Sequence, residues 1–188
     1  MRKLVVSEFL SLDGVMEDPG GAEGSAHGGW SMPYWHEEIG QVKFDELVAA
    51  DALLLGRITY EGFAAAWPGR TDEAGFADRM NGIAKYVVST TLHDAAWSNS
   101  HIIRDDVAGQ IAALKAQEGQ DILVAGSGLL TQTLIANNLV DEFRLLVYPI
   151  ALGEGKRLFG AGAYAPLSLI EGRAIPNGVM LLRYAPAK

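Results

Sequence analysis

Asp121-Ile122-Leu123-Val124-Ala125-Gly126-Ser127-Gly128-Leu129-Leu130-Thr131 reads as a short buried strand that stops at a glycine and restarts at once as a helix. Ala52-Leu53-Leu54-Leu55-Gly56-Arg57-Ile58-Thr59-Tyr60-Glu61 repeats the pattern. Each places free backbone N–H groups at a helix start just past a strand end. Those amides have no acceptor within the helix, and the positive end of the helix dipole lies there, so such ends hold phosphate. Two of them, one carrying Arg57, suggest a nucleotide with phosphates at two places.

Working outward, strands are predicted over 3–11, 51–55, 83–89, 100–103, 121–125 and 141–149, and helices over 35–50, 57–66, 72–81, 107–117 and 129–136. Asp105 or Asp106 caps the fourth helix, and Asn137-Asn138 stops the fifth. Residues 167–174 and 179–184 form a terminal hairpin around Pro176-Asn177-Gly178. Strands alternate with helices, then follow one another. That order gives an α/β fold with a largely parallel sheet and an antiparallel C-terminal edge. No repeat or linker divides the chain, so residues 1–188 read as one domain. The ligand crevice of such a sheet lies at the carboxyl ends of its strands. This gathers Asp13, Gly56, Arg57, Ser89, Thr90, Gly126, Ser127 and Gly128 on one rim.

Composition narrows the function. The formal net charge of −8 disfavours nonspecific binding to nucleic acid or anionic membranes, since both need a basic face. The absence of cysteine removes disulfides, thiolate nucleophiles and Cys-bound metals. The four histidines form no i, i+4 pair, so no metal site is expected. No apolar run is long enough to span a bilayer, and the chain enters its first strand without a signal region, so a cytoplasmic protein is expected.

The rim residues have functional and ordinary readings. Gly126-Ser127-Gly128 allows close approach of an anion, with Ser127 adding a hydroxyl, or it is simply a tight turn. Arg57 can fork onto a phosphate beside Thr59, or pair with Glu61 or Asp51. Ser89 and Thr90 can bond a ribose phosphate or cap local backbone. Asp13-Gly14 is either a turn or a polar group beside the reacting ring. Residues 17–32, rich in Gly, Asp and Pro, read as a mobile loop that closes over the site. Trp30, Tyr34 and Trp35 could stack on a flat heterocycle or pack in the core, the core being the expected place of Trp35.

Together these stretches resemble the dihydrofolate reductase-like superfamily, and most closely the C-terminal reductase domain of bacterial riboflavin-biosynthesis deaminase-reductases. The resemblance spans nearly the whole chain. It rests on Ser11-Leu12-Asp13-Gly14, Leu55-Gly56-Arg57-Ile58-Thr59-Tyr60-Glu61, Lys85-Tyr86-Val87-Val88-Ser89-Thr90-Thr91, Ala125-Gly126-Ser127-Gly128, and Val140-Asp141-Glu142-Phe143 leading to Pro149-Ile150-Ala151-Leu152-Gly153-Glu154-Gly155. It implies a three-layer fold, NADPH as cofactor, and a homodimer. It places Gly56, Arg57 and Thr59 by the 2′-phosphate, Ser89 and Thr90 by the adenosine, and Gly126, Ser127, Gly128 and Leu129 by the pyrophosphate. The implied reaction is hydride transfer to a small heterocyclic or sugar-like substrate, as in a 5-amino-6-(5-phosphoribosylamino)uracil reductase. A dihydrofolate reductase and a non-catalytic NADPH-binding dimer are the alternatives. Asp13 and Glu37 are the candidate catalytic carboxyls, and Asp13 would need a raised pKa to donate a proton near neutrality. Trp35, Lys156 and Arg157 are the candidate substrate contacts. The zinc-binding residues of the deaminase domain have no counterpart here.

Overall fold

The computed structural model describes residues 1–187. The elements run β1 (Leu4–Ser11), α1 (Glu37–Ala49), β2 (Ala50–Gly56), α2 (Arg57–Ala66), α3 (Phe76–Gly82), β3 (Ala84–Val88), β4 (Ser100–Ile103), α4 (Val107–Ala116), β5 (Asp121–Ala125), α5 (Gly128–Ala136), β6 (Glu142–Tyr148), β7 (Leu167–Ala174) and β8 (Met180–Pro186). One eight-stranded sheet has the order β4-β3-β2-β5-β1-β6-β8-β7. The first six strands in that order are mutually parallel, and β8 and β7 complete the sheet antiparallel. The α/β class, the mixed sheet and the C-terminal antiparallel pair all match the sequence reading.

Side chains alternate across each strand and so feed two separate cores. On one face Leu4, Val6, Leu54 and Val124 pack against Ile111 and Leu114 of α4 and Leu130 and Leu134 of α5. On the other, Val5, Leu53, Leu55 and Leu123 pack against Leu47 of α1, Tyr60 of α2 and Met80 of α3. Helices thus sandwich the sheet in three layers. A third cluster, Trp30, Ile39, Leu146 and Tyr148 with Ile175 and Val179, lies under residues 17–32.

Element ends follow local chemistry. α1 starts at Glu37 rather than at residue 35 because Met32–Tyr34 forms a 3-10 turn and His36 accepts the Glu38 amide through Nδ1. α5 ends where Asn138 turns left-handed (φ 52°), and the Leu139 amide reaches back to the Leu134 carbonyl.

Candidate anion site at the sheet crevice

β2 and β5 are neighbours, with Leu54 opposite Val124. The helix after β2 leaves on one face and the helix after β5 on the other, so the chain parts between them. This is the switch-point crevice of a doubly wound sheet. Both glycine turns lie in it and are stitched together. The Gly56 amide donates to Ser127 Oγ at 2.7 Å, and Ser127 Oγ donates to Thr59 Oγ1 at 2.9 Å. Gly126 is left-handed (φ +62°), and a Cβ there would lie 2.8 Å from Thr59 Oγ1. Ser127 is also left-handed (φ 68°), which aims the start of α5 into the crevice.

The amides at these helix starts are free. Neither α2 nor α5 has a side-chain cap or an acidic residue in its first turn. The other helices are served by side chains: α1 by His36, α3 by Asp72 (onto Phe76 N at 2.9 Å and Ala77 N at 2.6 Å) and α4 by Asp106. The two uncapped helices are therefore the two that meet at the crevice. Exposed Ile58 and Leu129 flank them as apolar shelves. Free amides beside a position that cannot accept a Cβ suit a phosphate-bearing ligand approached by main chain.

Several rim side chains are already engaged. The Ser127 hydroxyl is spent joining the two turns, so it is not the free donor expected from the sequence. Arg57 pairs with Glu61 at 2.9 Å on the exposed face of α2. Buried Ser89 accepts the amides of Thr91 (3.1 Å) and Leu92 (2.9 Å), a local cap, while Thr90 beside it is exposed.

Asp13 sits among hydrogen-bond donors. Its carboxylate accepts from Ser11 Oγ (2.6 Å), Leu152 N (3.0 Å) and Gly153 N (2.9 Å). These bonds hold it well below the usual carboxylate range, opposite to the shift a proton donor needs. Arg157 bonds the Asp13 carbonyl and reaches its carboxylate and the Gly153 carbonyl. Lys156 pairs with Glu17. Both cations expected at the substrate thus tie the loop after β6 to the end of β1.

Trp35 is 64% exposed and lies over Gly40, so it is not the core residue expected. Glu37 is exposed in the first turn of α1. Residues 17–32 are tied down rather than loose. Buried Asp18 accepts the amides of Glu23 (2.9 Å) and Ser25 (3.0 Å), Trp30 Nε1 donates to the Glu17 carbonyl (2.7 Å), and Ser31 Oγ donates to the Pro19 carbonyl (2.8 Å).

The sequence reading passed over a polar cluster between β1 and α1. Buried Ser7 Oγ donates to buried Glu46 Oε2 at 2.6 Å. Lys43 Nζ donates to Glu46 Oε2 at 2.8 Å and to Ser7 Oγ, and lies 5.5 Å from the centre of the Phe9 ring. Glu8, next on the strand, is 5% exposed, and burial pushes its carboxyl well above the ordinary range. Two signals were available: polar Ser7-Glu8 inside an apolar strand, and Ile39, Lys43 and Glu46 at helical spacing on one face of α1. Among the described residues, no His/Asp/Glu group could hold a metal ion.

The model of the RibD C-terminal domain family matches residues 2–181. The Bacillus subtilis (strain 168) protein YyaP, itself uncharacterized, is 29% identical over 97% of this chain and 94% of its own length. A Shewanella sp. PV-4 protein named for riboflavin biosynthesis superposes with a TM-score of 0.76 at 20% identity, covering 99% of each chain. Dihydrofolate reductase from Enterococcus faecalis, solved with NADP(H), has a TM-score of 0.64 at 13% identity, covering 99% of this chain and 97% of its own.

Proposed function

The chain belongs to the RibD C-terminal domain family, and on that footing we propose that it is an NADPH-dependent reductase of a small heterocyclic or sugar-like substrate. The observation that carries this reading is the pair of uncapped helix starts joined through Gly56, Ser127 and Thr59 at the sheet crevice. The amides of Gly126, Ser127, Gly128 and Leu129 would take the pyrophosphate. Gly56, Arg57 and Thr59 would meet the 2′-phosphate, and Ser89 and Thr90 the adenosine. Bound there, the reduced nicotinamide would supply a hydride.

The chain's own share is binding, orientation and exclusion of water. Half-buried Lys43, fixed by Ser7 and Glu46, would offer a donor to a carbonyl or ring nitrogen of the substrate between β1 and α1. Glu46 replaces Glu37 as the α1 carboxylate that faces this space, because Glu46 is buried against β1 and Glu37 is exposed. A homodimer is the assembly the resemblance implies, and exposed Leu169, Ile170 and Met180 on β7 and β8 supply apolar surface for it.

The test is NADPH and NADH binding to the wild type and to Arg57→Ala, followed by tryptophan emission. A charge-assisted bond to phosphate is worth about 1.5–3 kcal/mol, less the small value of the exposed Glu61 pair. Arg57→Ala should therefore weaken NADPH about tenfold and leave NADH unchanged. Equal weakening of both would make Arg57 structural. Tight NADPH binding without turnover on pyrimidine or pterin substrates would favour the binding module over the reductase.

A further inference from the structure

Among the described residues, two buried side-chain atoms have no hydrogen-bond partner, Glu8 Oε1 and Ser100 Oγ. The other buried carboxylates are well served: Glu46 by Lys43 and Ser7, Glu142 by Arg144 and Arg183, and Asp18 by backbone amides. Glu8 is the exception, and its place in the fold gives the exception meaning. β1 is a central strand between β5 and β6. Ser7 lies opposite Ala125, which sets Glu8 level with Gly126, the first residue of the crevice turn. The Glu8 carboxyl therefore lies beside the turn, buried and with Oε1 unpartnered.

The charged groups that act on Glu8 are Lys43 and Glu46 of α1, which lie on the other face of the sheet. Lys43 is already committed to Glu46 and Ser7. Leu145, its partner on β6, brings no charge. By alternation Glu8 lies on the Val6 and Leu10 face, across the sheet from this cluster, so the ammonium serves Glu46 and leaves Glu8 unpaired. A lone buried carboxylate is costly, so the unpartnered group keeps its proton.

We propose that buried Glu8, level with Gly126 on the neighbouring strand, is linked to the anion-holding turn: its carboxyl carries a proton whenever the phosphates of a dinucleotide occupy the turn. Cofactor binding and protonation of Glu8 are then linked. An ionised Glu8 sets a negative charge beside the amides that receive the pyrophosphate, while a neutral one leaves the positive end of α5 uncompensated. By reciprocity, the bound dinucleotide strengthens the hold of Glu8 on its proton. This inference rests on the assignment of the turn to a dinucleotide.

The experiment has two arms. Infrared spectroscopy of the cofactor-free protein at neutral pH should show the carbonyl stretch of a buried carboxylic acid, lost in Glu8→Gln. NADPH titrations from pH 6 to 10, by calorimetry in buffers of different ionisation enthalpy, form the second. Wild-type affinity should fall toward alkaline pH, by up to tenfold per unit once Glu8 ionises in the free protein, with proton uptake on binding there. Glu8→Gln, neutral and nearly isosteric, should bind with a flat profile and take up no proton. Absence of the acid band in the wild type, or one pH profile shared by both proteins, overturns the role of Glu8. An acid band in a protein that binds neither NADPH nor NADH at any pH refutes the reductase reading instead, and removes the linkage with it. If Glu8→Gln does not fold, the wild-type band and its proton uptake still decide the matter.

Discussion

Gly126→Ala tests whether the two turns are one unit. The left-handed conformation (φ +62°) costs an L-residue about 1–2 kcal/mol. The new Cβ would stand 2.8 Å from Thr59 Oγ1 and 3.1 Å from Thr59 Cγ2. Thr59 Oγ1 cannot yield freely, because Ser127 Oγ is bonded to it at 2.9 Å. Losing that bond costs about 1 kcal/mol. Replacing glycine also stiffens the unfolded chain, which returns about 0.4–1 kcal/mol. The expected net loss is about 2 kcal/mol.

Thr59→Ala removes both atoms the new methyl would meet. In that background Gly126→Ala should cost only the conformational part, about 1 kcal/mol or less. The coupling between the two sites should therefore be about 1 kcal/mol, within reach of a double-mutant cycle. Urea unfolding followed by tryptophan emission measures all four proteins. With a slope of roughly 2 kcal/mol per molar, the single variant should shift the midpoint by about 1 M. Equal costs in both backgrounds would refute the contact between the turns. If the crevice holds the pyrophosphate, Gly126→Ala should also weaken NADPH and NADH alike, unlike Arg57→Ala.

Lys85→Met should destabilise the fold by about 3 kcal/mol or more in urea unfolding, because it orphans the carbonyls of Asn81, Ile83 and Ser98 beneath the Trp97 ring, and NADPH binding should not change. The carboxyl of Asp13 is held low in the folded state, so its contribution is complete above the unfolded pKa of about 4 and is lost as pH falls through the folded one. Wild-type stability should thus drop on acidification below about pH 4, and Asp13→Asn, already weaker at pH 7, should drop less when the urea midpoints at pH 3 and pH 7 are compared. Asp18→Ala releases the Glu23 and Ser25 amides, so limited proteolysis within residues 19–29 should speed up severalfold while the global unfolding midpoint moves little.

The sheet was legible because its signals are local. The apolar run 121–125 and the glycine after it fix β5 and the start of α5 without help from distant residues. Asp13 was not legible, because its partners Leu152 and Gly153 lie 139 and 140 residues away, and only the fold reveals that its carboxylate is fully occupied. Residues 17–32 show a different limit. Their Gly, Asp and Pro content fits a mobile loop, yet Asp18 turns the same composition into a hydrogen-bonded knot by accepting amides five and seven positions on. The Ser7–Lys43–Glu46 cluster was within reach, since polar residues in a buried strand demand partners. Naming those partners required knowing that α1 crosses over β1.

The cations near the rim divide by what releasing each would cost. Lys156 and Arg157 offset carboxylates of the chain itself, and Arg157 also holds main-chain carbonyls, so withdrawing it would loosen the end of β1. Lys43 is bound into a half-buried cluster, where loss of the cation would strand Glu46. Arg57 differs. Its pair with Glu61 joins two exposed side chains one helical turn apart, an arrangement worth only about 0.3–0.5 kcal/mol. A phosphate placed beside Arg57 offers about 1.5–3 kcal/mol, so exchange of Glu61 for the ligand runs downhill. For a chain of net charge −8, this decides where added negative charge can be received. On the proposed reading the helix starts would take the pyrophosphate through amides, which act within a single turn and need no side-chain cation. Arg57 would then be the group available to distinguish a 2′-phosphate from a hydroxyl, and a phosphate on the substrate would have to compete for cations that already hold the structure together.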